Sequence, residues 1–203
     1  MTAPLQIDAT TLLTPGDPAP SFIQRSVANP RYSFDSAAGR YLVLCFFGSA
    51  ADGHAQAALK AAYERADIFN DDQACFFGVT IDPEDEAIGR VKNRLPGYRH
   101  FWDMDLLISR LYGVAAKDAS PGSGPAAMAR QWVVIDPTMR VLAAIPFRPD
   151  RGDLGEVMAL LDSLPPPDRY AGIDVMAPLL FLPPAPPASR CHRSFPSRGD
   201  HNS

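Results

Sequence analysis

Tyr41-Leu42-Val43-Leu44-Cys45-Phe46-Phe47 is an unbroken apolar run set between Gly39 and Gly48. It leaves no face for water, which is the pattern of a central parallel strand covered on both sides. Downstream, Gly48 to Gly53 is a loop of small residues. Ala55, Ala58, Leu59, Ala62, Ala66 and Phe69 then recur at helical spacing, which predicts a helix over 54–69 with one apolar stripe. Ala74 to Ile81 is a second continuous apolar strand. Asp82-Pro83-Glu84-Asp85 is a helix start: Asp82 can cap, Pro83 fits the first turn, and the acids suit the positive end of the dipole. That helix is expected to stop near Pro96-Gly97.

Further on, Phe101-Trp102 is a short apolar patch, and Leu106 to Tyr112 reads as one or two helical turns. Residues 115–128 form a loop rich in Ala, Ser, Gly and Pro. Gln131 to Ile135 and Val141 to Ile145 flank the turn Asp136-Pro137-Thr138-Met139 and read as a hairpin. Asp153 with Glu156 resembles a capping box for a last helix ending near Leu164. Upstream, residues 1–20 are a lead-in, Ser21 to Arg25 a short edge strand, and Tyr32 and Phe34 alternate as in a half-buried strand. The order β-α-β-α-(α)-β-β-α demands an α/β fold with a parallel core, a hairpin at one edge, and helices on both faces. A mixed sheet closed by a hairpin and a final helix is the thioredoxin-like arrangement. It is expected to occupy residues 1–164 as one domain.

Residues 165–203 carry nine prolines, beginning with Pro165-Pro166-Pro167, and the last stretch has no periodicity. They are expected to be a disordered tail, because they cannot bury enough apolar surface to offset their ordering entropy.

The formal charge of −4 gives nothing to neutralise a phosphate backbone or an anionic bilayer, so neither nucleic acid nor membrane is an expected partner. No apolar run reaches the roughly 18 residues a membrane helix needs. Met1 to Leu13 has neither a basic start nor a continuous apolar stretch, so no signal peptide is expected. Cys45, Cys75 and Cys191 are too few and too widely spaced for a disulfide framework, a CxxC redox pair or a zinc knuckle. The expected compartment is the reducing cytoplasm, with no cofactor and no metal.

Four stretches, taken in order, resemble the alkyl hydroperoxide reductase/thiol-specific antioxidant type of peroxiredoxin over residues 14–162. Gly16-Asp17-Pro18-Ala19-Pro20-Ser21-Phe22 is similar to the family's GxxAPxF opening, and Tyr41 to Phe47 to the strand before its reactive site. Phe77-Gly78-Val79-Thr80-Ile81-Asp82 resembles its xGVSxD strand. Val133-Val134-Ile135-Asp136-Pro137 resembles its FIIDPxG hairpin. The resemblance implies a thiolate at a helix N-terminus, activated by the dipole and an Arg, that attacks peroxide and becomes a sulfenic acid.

The departure falls at the chemistry. The family pattern Pro-x-x-x-Thr-x-x-Cys, laid on from Phe47, places its Pro on Gly48, its Thr on Asp52 and its Cys on Ala55. A thioredoxin CxxC would fall on Ala51-Asp52-Gly53-His54. Alanine cannot be a nucleophile. The family's later Arg corresponds to Arg130.

A narrower resemblance joins Asn29-Pro30-Arg31-Tyr32-Ser33-Phe34, Cys45 to Asp52, and Cys75-Phe76-Phe77-Gly78-Val79 to the N-terminal redoxin-like domain of some bacterial 2-oxoglutarate/iron hydroxylases. It implies such a dioxygenase domain as a partner, beyond a junction resembling Leu164 to Gly172. The iron site would need His-x-Asp/Glu and a distant His. The chain has no such pair, and His192 and His201 lie in the tail, so the expectation is a chain that stops or changes frame soon after the junction.

Cys45 and Cys75 sit in buried strands, where free Cys is a small inert hydrophobe. Their functional reading is an unfamiliar thiol peroxidase. Cys191 is expected to be incidental, and Trp102 and Trp132 are core aromatics. Asp52 or Ser49 is a helix cap. His54 is a helix-start residue and Arg130 an ion-pairing one. Together, Ser49, Asp52, His54 and Arg130 define the candidate pocket. There free N–H groups can hold an anion, which a capping Asp would oppose. The favoured reading is an interaction or accessory module with no thiol chemistry at this position. The alternatives are a peroxidase using Cys45 or Cys75, and an anion- or ligand-binding module.

Overall fold

The computed structural model describes residues 12–91, 96–116 and 118–167. The chain divides into residues 1–169 and 170–203, and the described residues all belong to the first unit. The tail expected at 165–203 lies, beyond Pro167, outside the described residues, as do Cys191, His192 and His201.

The long apolar run forms strand β3 (Tyr41–Gly48), buried along its whole length. It is central in a five-stranded sheet. The strands β4 (Ala74–Thr80) and β5 (Tyr98–Trp102) run parallel to it, β6 (Gln131–Ile135) runs antiparallel to it, and β7 (Val141–Pro146) pairs antiparallel with β6, giving the order β5-β4-β3-β6-β7. A small sheet pairs β1 (Ile23–Gln24) with β2 (Tyr32–Ser33).

Alternation along β3 divides the core. Val43, Cys45 and Phe47 face the helices α1 (Gly53–Tyr63) and α4 (Gly152–Ser163), meeting Ala55, Ala58, Leu59, Ala62, Val157 and Leu161. Leu42, Leu44 and Phe46 face the other side, with Phe22, Phe34 and residues around α3 (Leu107–Leu111). At about 25 cal/mol per Å2 of apolar surface, these two layers supply the main stabilisation of the fold. Trp102 and Trp132 are both buried. Among the described residues, no helix is long and apolar enough to cross a membrane.

Four local expectations are corrected. Helix α1 ends at Tyr63 instead of running to residue 69. Ile68 and Phe69 still reach the core, but from a turn that Asn70 closes by accepting from the N–H groups of Asp72 and Gln73. Helix α2 (Pro83–Ala87) is capped by Asp82 but stops after five residues, because Gly89 (φ +67°) takes the left-handed conformation that ends a helix.

The Phe101-Trp102 patch is the end of the full strand β5. Arg99 and His100 interrupt its apolar run in sequence. In space Arg99 lies over the rings of Tyr32 and Phe77, and His100 is buried beside Phe47 and Phe76. Gly78 makes this possible: a Cβ there would overlap the His100 ring and lie 2.9 Å from Phe47. Finally, Asp153 is no capping-box residue. Helix α4 starts at Gly152, after Arg151 (φ +61°) in the N-cap position without a side-chain cap, and Asp153 turns inward, fully buried.

Candidate functional site

The carboxyl ends of β3 and β4 and the amino end of β6 meet at one edge of the sheet, where open α/β sheets place their ligands. Gly48 (φ +80°) turns the chain out of β3 into the loop Ser49–Asp52. Two carboxylates from the start of α2 clasp that loop. Ser49 Oγ donates to Asp82 Oδ2 at 2.5 Å, and the buried Asp85 accepts from Ala50 N at 2.9 Å and Thr80 Oγ1 at 2.6 Å. Arg90 folds back to hold both, at 3.0 Å each.

Asp52 then caps α1, accepting from His54 N at 2.9 Å and Ala55 N at 3.0 Å. The same Oδ1 is bound by the Arg130 guanidinium, which arrives from the residue before β6. Burial works against ionisation of Asp52, but the Ala55 N–H, the Arg130 charge and the His54 N–H outweigh it and hold the carboxyl below its ordinary range. Ala55 is buried, and its N–H donates to Asp52.

His54 turns the other way. Its ring stacks on Phe147 at 4.5 Å, and Nε2 lies 3.1 Å and 3.3 Å from the two oxygens of Asp153. Asp153 also accepts from Trp132 Nε1 at 3.0 Å and from Arg148 N at 3.0 Å. One buried carboxylate thereby ties α1, β6, the end of the hairpin and α4 together. The Arg130 guanidinium lies over the other partner of this group, the Phe147 ring.

The structure therefore brings Asp52, His54 and Arg130 around the first turn of α1. Ser49 belongs instead to the Asp82-Arg90 clasp. A cleft of about 550 Å3 opens along α1, lined by Gln56, Lys60, Tyr63 and Arg90 among others, and none of the four candidates lines it. Asp153 and Asp85 are the residues that sequence reading missed. A lone Asp gives no sign of its burial, although Trp132, whose indole N–H needs an acceptor, was a pointer to one. Among the described residues, Gln131 Nε2, in the same strand as Trp132, is a buried donor with no hydrogen-bond partner.

Both described cysteines are remote from solvent. Cys45 is inside β3, and burial pushes its thiol well up. Cys75 is the second residue of β4, at the opposite end of the sheet, and donates to Asp71 at 3.1 Å. Burial and that carboxylate push it up to about 11. Among the described residues, no group of three or more His, Cys, Asp or Glu side chains could hold a metal ion.

A five-stranded mixed sheet closed by a hairpin and flanked by helices is a thioredoxin-like fold. The AhpC/TSA family model matches residues 15–144, and the chain belongs to that family. Among solved structures, the peroxidoxin BcpB from Mycobacterium tuberculosis is 18% identical, with a TM-score of 0.62 over 75% of this chain and 99% of its own. AhpC from Mycobacterium tuberculosis is 19% identical, with a TM-score of 0.58 over 82% of this chain and 98% of its own. A yeast mitochondrial 1-Cys peroxiredoxin is 16% identical, with a TM-score of 0.54 over 73% and 76% respectively. At these identities the likeness is one of fold. No curated protein matches the chain.

Proposed function

We propose that this redoxin domain is catalytically degenerate and serves as an interaction or accessory module. The single observation that supports this reading most is at the first turn of α1. Asp52 occupies the two N–H groups and the guanidinium that would otherwise stabilise a thiolate, and Ala55 stands where the sulfur would be. A carboxylate there completes the charge balance without any nucleophile. The raised thiols of Cys45 and Cys75 argue against a peroxidase that uses either. The partner that fits the narrower sequence resemblance is a 2-oxoglutarate/iron hydroxylase domain.

Peroxide consumption with an excess of dithiol reductant tests the proposal. The purified chain is expected to consume no more than the reductant alone. Turnover that disappears in Cys45→Ser or Cys75→Ser would establish the peroxidase reading instead. Anion binding at the same turn is disfavoured by the Asp52 carboxylate, which already fills it.

A further inference from the structure

Asp103 follows β5 and is fully buried. Its carboxylate accepts from Ile108 N at 2.9 Å, Ser109 N at 2.8 Å and Ser109 Oγ at 2.6 Å. Among the described residues no cation pairs with it. Arg110 of α3 turns to the carbonyls of Asp105 and Ala119, and Arg25, whose carbonyl accepts from Trp102 N, is held by Glu86. From β4 the contact is neutral, Asp103 N donating to Thr80 O. The charge that does act on Asp103 is Asp105, of the same sign. Burial pushes the Asp103 carboxyl up to about 6, against the pull of the Ser109 hydroxyl and the two N–H groups.

Ser109 Oγ has one proton and two acceptors in reach: Asp103 Oδ2 at 2.6 Å and Met128 Sδ at 3.1 Å. While Asp103 is ionised, that proton goes to the carboxylate, the far stronger acceptor, and the thioether has no donor. A proton on Oδ2 reverses the direction. The carboxylic O–H then donates to Ser109 Oγ, and the hydroxyl turns its own proton to Met128 Sδ.

We propose that Asp103, Ser109 and Met128 form a proton-driven hydrogen-bond switch, in which protonating the buried carboxyl redirects the Ser109 hydroxyl from Asp103 to the Met128 sulfur. One proton enters from solvent, and no covalent bond between heavy atoms changes. Both states keep α3 tied to Asp103, so acid does not uncap it. The change is delivered to Met128, whose Cε would lie 3.6 Å from a Cβ placed on Gly48. Gly48 is where β3 gives way to the loop bearing Ser49 and Asp52, so the switch reaches the edge of the candidate site.

Methyl-13C methionine NMR on the whole chain, with a parallel 13C titration of the Asp103 carboxyl, tests this. The Met128 methyl is expected to shift in one step that coincides with the Asp103 titration. Ser109→Ala is expected to abolish the Met128 step. Met128→Leu, which preserves volume, is expected to lower the Asp103 midpoint, because the protonated state loses its acceptor. This second variant carries the test alone if Ser109→Ala does not fold. A Met128 methyl that stays flat through the Asp103 titration, an equal step in Ser109→Ala, or an unmoved midpoint in Met128→Leu would each overturn the switch.

Discussion

The guanidinium of Arg130 binds the carboxylate of Asp52 while that carboxylate caps α1. The pairing occupies the His54 and Ala55 N–H groups at the helix start together with the Arg130 charge. It also makes Asp52 a stability residue. Asp52→Ala removes the cap and is expected to cost about 1 kcal/mol in urea unfolding. Asp52→Asn keeps a capping oxygen and loses only a half-exposed ion pair, worth about 0–1 kcal/mol. An Asp52→Ala variant as stable as the parent would show that the cap carries no weight.

The buried Asp153 carboxylate has His54, Trp132 and the Arg148 N–H all directed at it. Asp153→Ala strands these donors and is expected to cost about 3 kcal/mol, measured by urea unfolding. His54→Ala removes only one partner and is expected to cost less. An order reversed between these two variants would mean that His54, and not Asp153, organises the cluster.

Gly78→Ala drives a methyl group into the His100 ring and towards Phe47. Overpacking of this kind costs about 1–3 kcal/mol. A drop in Tm is the expected readout, and a double variant that also shortens His100 should recover part of it.

The chain's legibility in sequence follows the same division. Tyr41 to Gly48 was readable because both of its faces are apolar, and the hairpin because two apolar runs flank the turn Asp136 to Met139. Helix-end chemistry offered Asp52 or Ser49 as the cap, and Asp52 is the one that caps α1; Arg130 was readable only as an ion-pairing residue, without its partner. Strand β5 was not, since Arg99 and His100 look polar until Tyr32, Phe77 and the space left by Gly78 are seen around them. Asp153 was misread as a cap because its local spacing fits one, while its partners come from 21 and 99 residues away. Long-range polar pairing leaves no periodic trace.

Two buried groups set opposing pH dependences. Burial pushes His100 down to about 4 and Asp103 up to about 6. The unfolded chain protonates histidine near 6.5, so acidification from there towards 4 destabilises the fold through His100. The folded state takes up a proton at Asp103 that the unfolded chain does not, so the same acidification stabilises it through Asp103. Stability between about pH 6 and about pH 4 is therefore expected to change little from these two groups. His100→Gln, although less stable throughout, should become relatively more stable over that window. A Tm profile for His100→Gln parallel to that of the parent would contradict the His100 assignment.

The most direct measurement concerns sulfur oxidation in the folded chain. Protein treated with stoichiometric peroxide in the presence of a sulfenic-acid trap, then digested and read by mass spectrometry, should carry no adduct at Cys45 or Cys75. The same residues should react with an alkylating agent only after denaturation. A trapped sulfenic acid on either cysteine of the native protein, formed faster than on a free thiol, would contradict a redoxin without a working thiolate.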